Sequence, residues 1–277
     1  MSETQKELIT KEQVTEIVEL QITLNNNTCG IGWEETRTTD KGRKLDFMLA
    51  FILEVSEAIE STPWKWWKSI DVKPDYNNIK IELVDALHFL ISDMLLVVDK
   101  EKVIEILHTS LNLPSPDYGD EITIKDALKV TLMYANADQN YMFLQRNVDV
   151  MKVQQYLTSG ITSEYNEEEA SLRESLLRVF NDMVMAKSNI ISGFMDALNL
   201  IPGFTKSDLY RLYIGKNVLN QFRQDNGYKE NTYIKTWNGD EDNVAMYEMM
   251  AKHENINSTV LYELLTVIYT DVVKNLG

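Results

Sequence analysis

Two apolar stretches decide the fold of this 277-residue chain. The first reads Phe47-Met-Leu-Ala-Phe-Ile-Leu-Glu54-Val-Ser-Glu57-Ala-Ile-Glu60, and the second reads Asn78-Ile-Lys-Ile-Glu82-Leu-Val-Asp85-Ala-Leu-His88-Phe89-Leu-Ile. Their apolar residues recur at helical spacings, which predicts helices over 45–61 and 76–98. The first of these helices is apolar on nearly every side, and helices of that kind are buried. We therefore expect the 45–61 helix to lie in the interior.

Helical periodicity also dominates the rest of the chain. The run from Asn25 to Gly30 favours a turn that would end the first helix. There are only 11 glycines and 5 prolines, few for the tight turns of an all-β protein, and no β alternation is visible. The predicted fold class is therefore all-α, a multi-helix bundle. The further helices are predicted at about 11–25, 100–111, 122–157, 168–198, 205–226, 240–253 and 257–275.

Composition and charge exclude several classes of function. The 43 acidic and 27 basic residues give a net charge of −16, which repels nucleic-acid backbones and anionic lipid, so we expect neither as a partner. The one cysteine, Cys29, leaves no intrachain disulfide and no cysteine-rich zinc site. No signal-peptide pattern and no membrane span is visible. We therefore expect a cytoplasmic protein.

Each of the two apolar helices carries a pair of acids three residues apart. Glu54 and Glu57 share one helical face, as do Glu82 and Asp85. Carboxylates among apolar side chains are costly unless cations neutralise them. A connection of the length of 62–75 lets the two helices pack antiparallel, with the four acids facing one another. The pattern favours Mg²⁺ or Mn²⁺ over the alternative, solvated salt bridges.

A small basic cluster follows near the carboxyl end of the chain. Lys216, Asn220 and Arg223 are spaced four and three apart on one helical face, and Tyr228 and Lys235 come shortly after. In so acidic a protein these cations indicate an anion-binding site, since arginine and lysine both suit phosphate. A solvated basic face remains the alternative. The nearby Asp240-Glu-Asp242-Asn lacks the rest of an EF-hand calcium loop.

The two acid pairs resemble the metal signature of the all-α nucleoside triphosphate pyrophosphohydrolases, the MazG-like superfamily. Within it, the chain resembles the dimeric all-α dUTPases. Besides the segment from Asn78 to Phe89, the resemblance is carried by three stretches. They are Leu20-Gln21-Ile-Thr-Leu24-Asn25; Glu57-Ala-Ile-Glu-Ser-Thr-Pro63-Trp64-Lys65-Trp66-Trp67-Lys68; and Lys216-Asn-Val-Leu-Asn220-Gln-Phe-Arg223, continuing to Gly227-Tyr228 and Tyr233-Ile234-Lys235.

The resemblance implies a four-helix core that bears the carboxylates, and a Mg²⁺-dependent dUTP diphosphatase that acts as a homodimer. Water would attack the β-phosphorus, so dUTP would give dUMP and pyrophosphate, and dUDP would also be a substrate. Glu54, Glu57, Glu82 and Asp85 would hold the metal, and Glu54 would position the water. The phosphates would be bound by Lys216, Arg223, Tyr228 and Lys235, with Lys68 also on the substrate side. The base and sugar would be surrounded by Gln21, Asn25, Trp67, His88, Phe89 and Asn220.

Residues 99–204 carry no assignable motif. We expect one catalytic domain over residues 1–277, with 99–204 as an inserted or mobile helical part. Two alternative functions stay open from the sequence. The chain could be a dCTPase or a broader nucleoside triphosphate pyrophosphohydrolase, or a non-catalytic all-α interaction scaffold.

Overall fold

The structure is a computed structural model that describes residues 8–68, 72–114, 122–144, 185–253 and 256–276. Almost all the regular structure in these residues is helical, which confirms the all-α prediction. The helices are α1 (Lys11–Cys29), α2 (Trp33–Thr36), α3 (Phe47–Glu60), α4 (Tyr76–Leu95), α5 (Lys100–Leu111), α6 (Ile124–Leu144), α7 (185–199), α8 (Lys206–Asp225), α9 (Asp242–Lys252) and α10 (Ser258–Leu276). None of these is both long enough and apolar enough to cross a membrane.

The described β structure is minimal. Strands β1 (Thr236–Trp237) and β2 (Asp240–Glu241) pair antiparallel between α8 and α9. The two residues between them, Asn238 and Gly239, both have positive φ, which is typical of a tight hairpin turn. An isolated bridge joins Thr38 and Lys44 in the loop before α3.

Most helix boundaries match the sequence prediction, but the end of α1 does not. The predicted turn at 25–30 is wrong for residues 25–29, because α1 continues to Cys29. Thr28 Oγ1 donates to the Leu24 carbonyl and Gly30 N donates to the Asn26 carbonyl, so this polar run is held in the helix. Of the predicted helices at 122–157 and 168–198, residues 145–157 and 168–184 lie outside the described residues.

The contacts between Cα atoms divide the chain into two compact units. The first comprises residues 1–18 and 46–205, and the second comprises 19–45 and 206–277. The expectation of one catalytic domain with an inserted 99–204 segment stays a prediction. The described part of that segment, which contains α5, α6 and α7, belongs to the first unit.

The first unit is built on α3. This helix packs most extensively on α4 and then on α6. Phe51 and Val55 are fully buried, as expected, but Leu49 is 45% exposed and Leu53 is 54% exposed. The expectation that this apolar helix is interior on every side is therefore wrong for the face that carries the two leucines, because the neighbouring helices of the described chain leave it uncovered.

A buried ionic cluster also joins three helices of the first unit. Lys187 of α7 contacts Asp93 of α4 and donates to Asp138 of α6, with Nζ 2.5 Å from Asp138 Oδ2. All three residues are buried. Burial favours the neutral amine, but the two carboxylates outweigh that effect and raise the pKa of Lys187. The cluster thus links α4 through ion pairs to α6 and α7, two helices of the 99–204 segment, in which the sequence showed no motif.

The second unit has an aromatic core where α8, α9 and α10 meet. Phe222 of α8 is 1% exposed, and its ring centroid lies 5.3 Å from that of Tyr262, 5.5 Å from that of Tyr269 and 6.0 Å from that of Trp237. The Trp237 indole donates to the Ile234 carbonyl and so ties the hairpin to this core. The core therefore fixes the segment that links α8 to α9.

Candidate active site

The acid-bearing helices are aligned by contacts at the ends that face each other. The N–H of Asp75 donates to the carbonyl of Ser61, and Asn78 Nδ2 donates to Ser61 Oγ at 2.8 Å. The Asp75 carboxylate in turn accepts from two backbone N–H groups and caps α4. The end of α3 thus lies against the start of α4, the antiparallel arrangement that the length of the connection predicted.

Three of the four predicted metal ligands come together on this helix pair. Glu54 of α3 and Glu82 and Asp85 of α4 each offer a carboxylate oxygen within 4.8 Å of the others, and all three residues are half-buried. Glu57 lies one turn further along α3, is exposed, and does not belong to this group. The donor set consists of carboxylate oxygens only, and that chemistry fits Mg²⁺ or Mn²⁺.

The tryptophan-rich segment follows α3 in the first unit. Trp67 is 56% exposed. Its ring packs edge-on against the rings of Trp64 and Trp66, with centroid separations of 5.4 Å and 5.5 Å. Lys65 lies over the Trp64 ring, whereas Lys68 is exposed. Trp66 is the most exposed of the three rings, at 82%. The segment therefore presents Trp67 and Lys68 at the surface rather than in the core.

His88 and Phe89 lie on α4, one turn beyond the acids. His88 is buried, and its Nδ1 lies 2.8 Å from the Val84 carbonyl oxygen. A carbonyl can only accept, so this contact assigns the ring proton to Nδ1. Phe89 is half-buried. The histidine ring is thus oriented by its own helix.

In the second unit, Gln21 and Asn25 are buried in one chain of hydrogen bonds. The hydroxyl of Tyr213 donates to Gln21 Oε1 at 2.6 Å, and Gln21 Nε2 donates to Asn25 Oδ1 at 2.9 Å. Tyr213 is fully buried, and burial raises the pKa of its phenol well above the usual value, so it remains a donor. Because a phenol proton needs an acceptor, Tyr213 fixes which way the Gln21 amide points.

The cationic face of α8 is held by the first turn of α9. Lys216 Nζ donates to Asn243 Oδ1 at 2.8 Å. Arg223 makes a bidentate contact with Asp242, from Nε to Oδ2 at 2.8 Å and from Nη2 to Oδ1 at 2.7 Å. Lys216, Arg223 and Asp242 are all buried, so the predicted alternative of a solvated basic face is wrong for these two cations.

The carboxylate of Asp242 remains ionised in this setting. Burial opposes ionisation, but the hydrogen bonds and charge of Arg223 outweigh it and lower the pKa of Asp242. The hydroxyl of Tyr233 also donates to Asp242 Oδ2, at 2.8 Å. Burial, with the neighbouring Asp242, raises the pKa of Tyr233 beyond the range of ordinary titration. Asp242 is therefore a charged anchor for Arg223.

The last two residues predicted to bind phosphate lie at the surface of the second unit. Tyr228 is 46% exposed and follows Gly227, whose positive φ of 89° turns the chain after α8. Lys235 is exposed and pairs with Glu241 at 3.4 Å. Asn231, which also has positive φ, turns the chain before Lys235.

Sequence reasoning missed three groups: two that hold predicted site residues, and the ionic cluster of the first unit. Asp242 and Asn243 were noticed only as part of an incomplete calcium loop, although their position shortly after a basic helix was a usable signal. Tyr213 lies three residues before Lys216 and carried no signal of its own. The Lys187 cluster carried none either, because its partners lie 49 and 94 residues away in sequence.

Comparison with known proteins identifies the family of the chain. A family model described as dUTPase matches residues 13–228, which is most of the chain and includes α3, α4 and α8. No curated protein matches the chain. The extent of the match and the all-α fold show that the chain belongs to the dimeric all-α dUTPase family and is an enzyme that hydrolyses dUTP.

Proposed function

We propose that this enzyme hydrolyses dUTP to dUMP with release of pyrophosphate, and dUDP to dUMP with release of phosphate, in a reaction that depends on Mg²⁺ or Mn²⁺. Water attacks the β-phosphorus. The observation that carries the proposal is the gathering of Glu54, Glu82 and Asp85 carboxylate oxygens within 4.8 Å on two packed helices. A bound divalent ion there would neutralise the polyphosphate and activate water.

The chain's own residues then have separate tasks. Glu54, Glu82 and Asp85 would hold the metal, and Glu54 would also accept a hydrogen bond from the attacking water and orient it. Glu57 is a fourth ligand in this proposal, although its exposed side chain would have to turn toward the group. The cost of placing several carboxylates together explains why the site needs a cation.

We assign the substrate contacts as the family resemblance implies them. The phosphates are bound by Lys216, Arg223, Tyr228 and Lys235, and Lys68 is a further substrate-binding residue. The two buried cations, Lys216 and Arg223, are pre-positioned by Asn243 and Asp242. Pre-positioned charge stabilises a developing phosphate charge without reorganisation. The base and sugar are contacted by Gln21, Asn25, Trp67, His88, Phe89 and Asn220.

We also propose that the enzyme is a cytoplasmic homodimer. The exposed leucines on α3, Leu49 and Leu53, lie four residues apart on one face, and a two-fold pairing of this face would bury them. Light scattering at micromolar concentration would give the mass of a dimer; a monomer would remove this part of the proposal. The single cysteine, Cys29, is consistent with a reducing compartment.

The central test is a panel of dUTP, dUDP, dCTP and other nucleotides with Mg²⁺, in which pyrophosphate and orthophosphate are both measured. We expect pyrophosphate from dUTP, phosphate from dUDP, and no turnover after chelation. Orthophosphate from dUTP would mean that the linkage between the β- and γ-phosphates is cleaved instead. Equal turnover of dCTP would favour the broader enzyme over the specific one.

A variant pair separates catalysis from folding. Glu54→Gln removes one charge from the carboxylate group and should lower kcat by about 100-fold or more. Glu105→Gln is the matched control, because Glu105 is an exposed acid of the first unit that pairs with Lys102 on the same helix, at 3.0 Å. Full activity of Glu54→Gln, with the dUTP panel positive, would place the metal elsewhere.

A further inference from the structure

Three residues of the second unit form a chain of hydrogen bonds that starts at Asp242 and ends at Asn220. Asp242 is fully buried and holds Arg223 through both carboxylate oxygens. The other terminal nitrogen of the guanidinium, Nη1, donates to Asn220 Oδ1 at 3.1 Å. Asn220 is half-buried on α8, one turn before Arg223. The family match ends at residue 228, so Asp242 lies beyond it.

The contact with Arg223 fixes the orientation of the Asn220 amide. An arginine guanidinium has five N–H donors and no acceptor, and it is always charged. Only the oxygen of the amide can therefore face Nη1. The NH₂ group of Asn220 is then on the opposite edge of the amide plane, and the oxygen keeps a second lone pair.

We propose that Asp242 and Arg223 act as a relay that holds the Asn220 amide in the one orientation that reads uracil and rejects cytosine. The proposal rests on the function above, in which Asn220 contacts the base. Uracil presents a carbonyl oxygen, O4, beside the N3–H donor. The fixed amide offers the complementary pair, an NH₂ donor beside an oxygen acceptor.

Cytosine presents the reverse pattern, since its N4 amino group is a donor and its N3 is an acceptor. The amide could match cytosine only after a flip, and a flip would point the NH₂ group at the Arg223 N–H. Two donors would then face each other at a half-buried position, and the arginine would lose a partner. Leaving such groups unpaired costs enough to give discrimination of about tenfold or more.

Asp242 is a positioning residue in this scheme, because it acts on the base only through Arg223. Its two contacts use the Nε–Nη2 edge of the guanidinium and prevent rotation about the end of the side chain. Tyr233 supports the same carboxylate through its hydroxyl. Without the carboxylate, the guanidinium gains freedom and no longer enforces the amide orientation.

The test compares kcat/KM for dUTP with that for dCTP in the wild type, in Asp242→Asn and in Asp240→Asn. The ratio of the two kcat/KM values reports recognition of the base alone, because any change in phosphate binding through Arg223 affects both substrates alike. Asp240→Asn is the matched control: Asp240 is an exposed acid on β2, only two residues away. Binding of dUMP and dCMP, followed by calorimetry without metal, gives a readout that does not depend on turnover.

We expect the wild type to prefer uracil in both measurements. Asp242→Asn should lower the dUTP-to-dCTP ratio by about tenfold, and Asp240→Asn should leave it unchanged. A folded Asp242→Asn variant with reduced melting temperature and an unchanged ratio would overturn the relay, because a merely structural role predicts that result.

A second variant keeps the inference testable if Asp242→Asn does not fold. Asn220→Asp keeps an acceptor for Arg223 but removes the NH₂ group that donates to the uracil carbonyl. We expect its dUMP-to-dCMP affinity ratio to fall about tenfold; an unchanged ratio would refute the assignment. If the wild type turned over dUTP and dCTP at equal rates, only the relay would be refuted. If no nucleotide were turned over in a metal-dependent reaction, the proposed function itself would be refuted.

Discussion

Replacing Lys187 with methionine tests the buried ionic cluster of the first unit. Methionine has nearly the volume of lysine but no charge, so the variant leaves Asp93 and Asp138 without their shared cation. The lysine and aspartate side chains are at most 11% exposed, so solvent screening relieves little of the cost. Removing one partner of a buried pair costs about 3–5 kcal/mol of unfolding free energy. Protonating one aspartate at pH 7 costs about 4 kcal/mol, which is consistent with that range.

The stability loss caused by Lys187→Met should depend on pH, and the pKa of Asp138 determines the direction. Burial already raises the pKa of Asp138, while the charge of Lys187 opposes the rise. Lys187→Met removes the opposing charge, so the folded-state pKa rises further above the unfolded value. The folded variant then binds a proton that the unfolded chain does not, and its stability increases as the pH falls through that window. The deficit relative to wild type should shrink by up to about 1.4 kcal/mol per pH unit.

Urea unfolding followed by far-ultraviolet circular dichroism, at about pH 7.5 and about pH 5, measures both quantities. Lys102→Met is the matched control, because this lysine is partly exposed and pairs with Glu105 on the same helix; its effect should stay below about 0.5 kcal/mol. Changing Asp93 and Asp138 to leucine together with Lys187→Met should recover most of the loss. A loss under about 1 kcal/mol at the higher pH, or one that does not shrink on acidification, would refute the reasoning.

Three further changes test single features of the two units. Tyr213→Phe removes the hydroxyl that orients Gln21 and should cost about 1 kcal/mol in urea unfolding while raising the KM for dUTP; an unchanged KM would separate this bond from substrate binding. Asn112→Ala removes the two contacts that hold Ile9 N–H and Ile9 C=O, and should lower the unfolding free energy by about 1–3 kcal/mol and increase amide exchange at Ile9; unchanged exchange would contradict it. Phe222→Ala empties the centre of the aromatic core and should cost about 3–5 kcal/mol in thermal unfolding; a loss below about 1 kcal/mol would mean that the core collapses around the gap.

Local sequence patterns were reliable where the physical cause is itself local. Apolar periodicity located α3, α4, α5 and α8 to within a few residues. The three-residue spacing of Glu82 and Asp85 placed them on one face of α4, and the length of the 62–75 connection placed Glu54 beside them. Two predictions made from local patterns were wrong. The asparagine run of α1 stays helical to Cys29, and the leucines of α3 remain exposed.

The sequence by itself determined the helical class, the acid-bearing helix pair and the cationic face of α8, because each depends on spacings of three or four residues along one helix. Only the tertiary structure decided which groups meet across long separations. Arg223 pairs with Asp242, which lies beyond the end of its own helix, and Lys187 pairs with Asp93, which is 94 residues away in sequence. Many acids in so acidic a chain could have met these cations. The choice depends on how the helices pack, and no spacing rule encodes that packing.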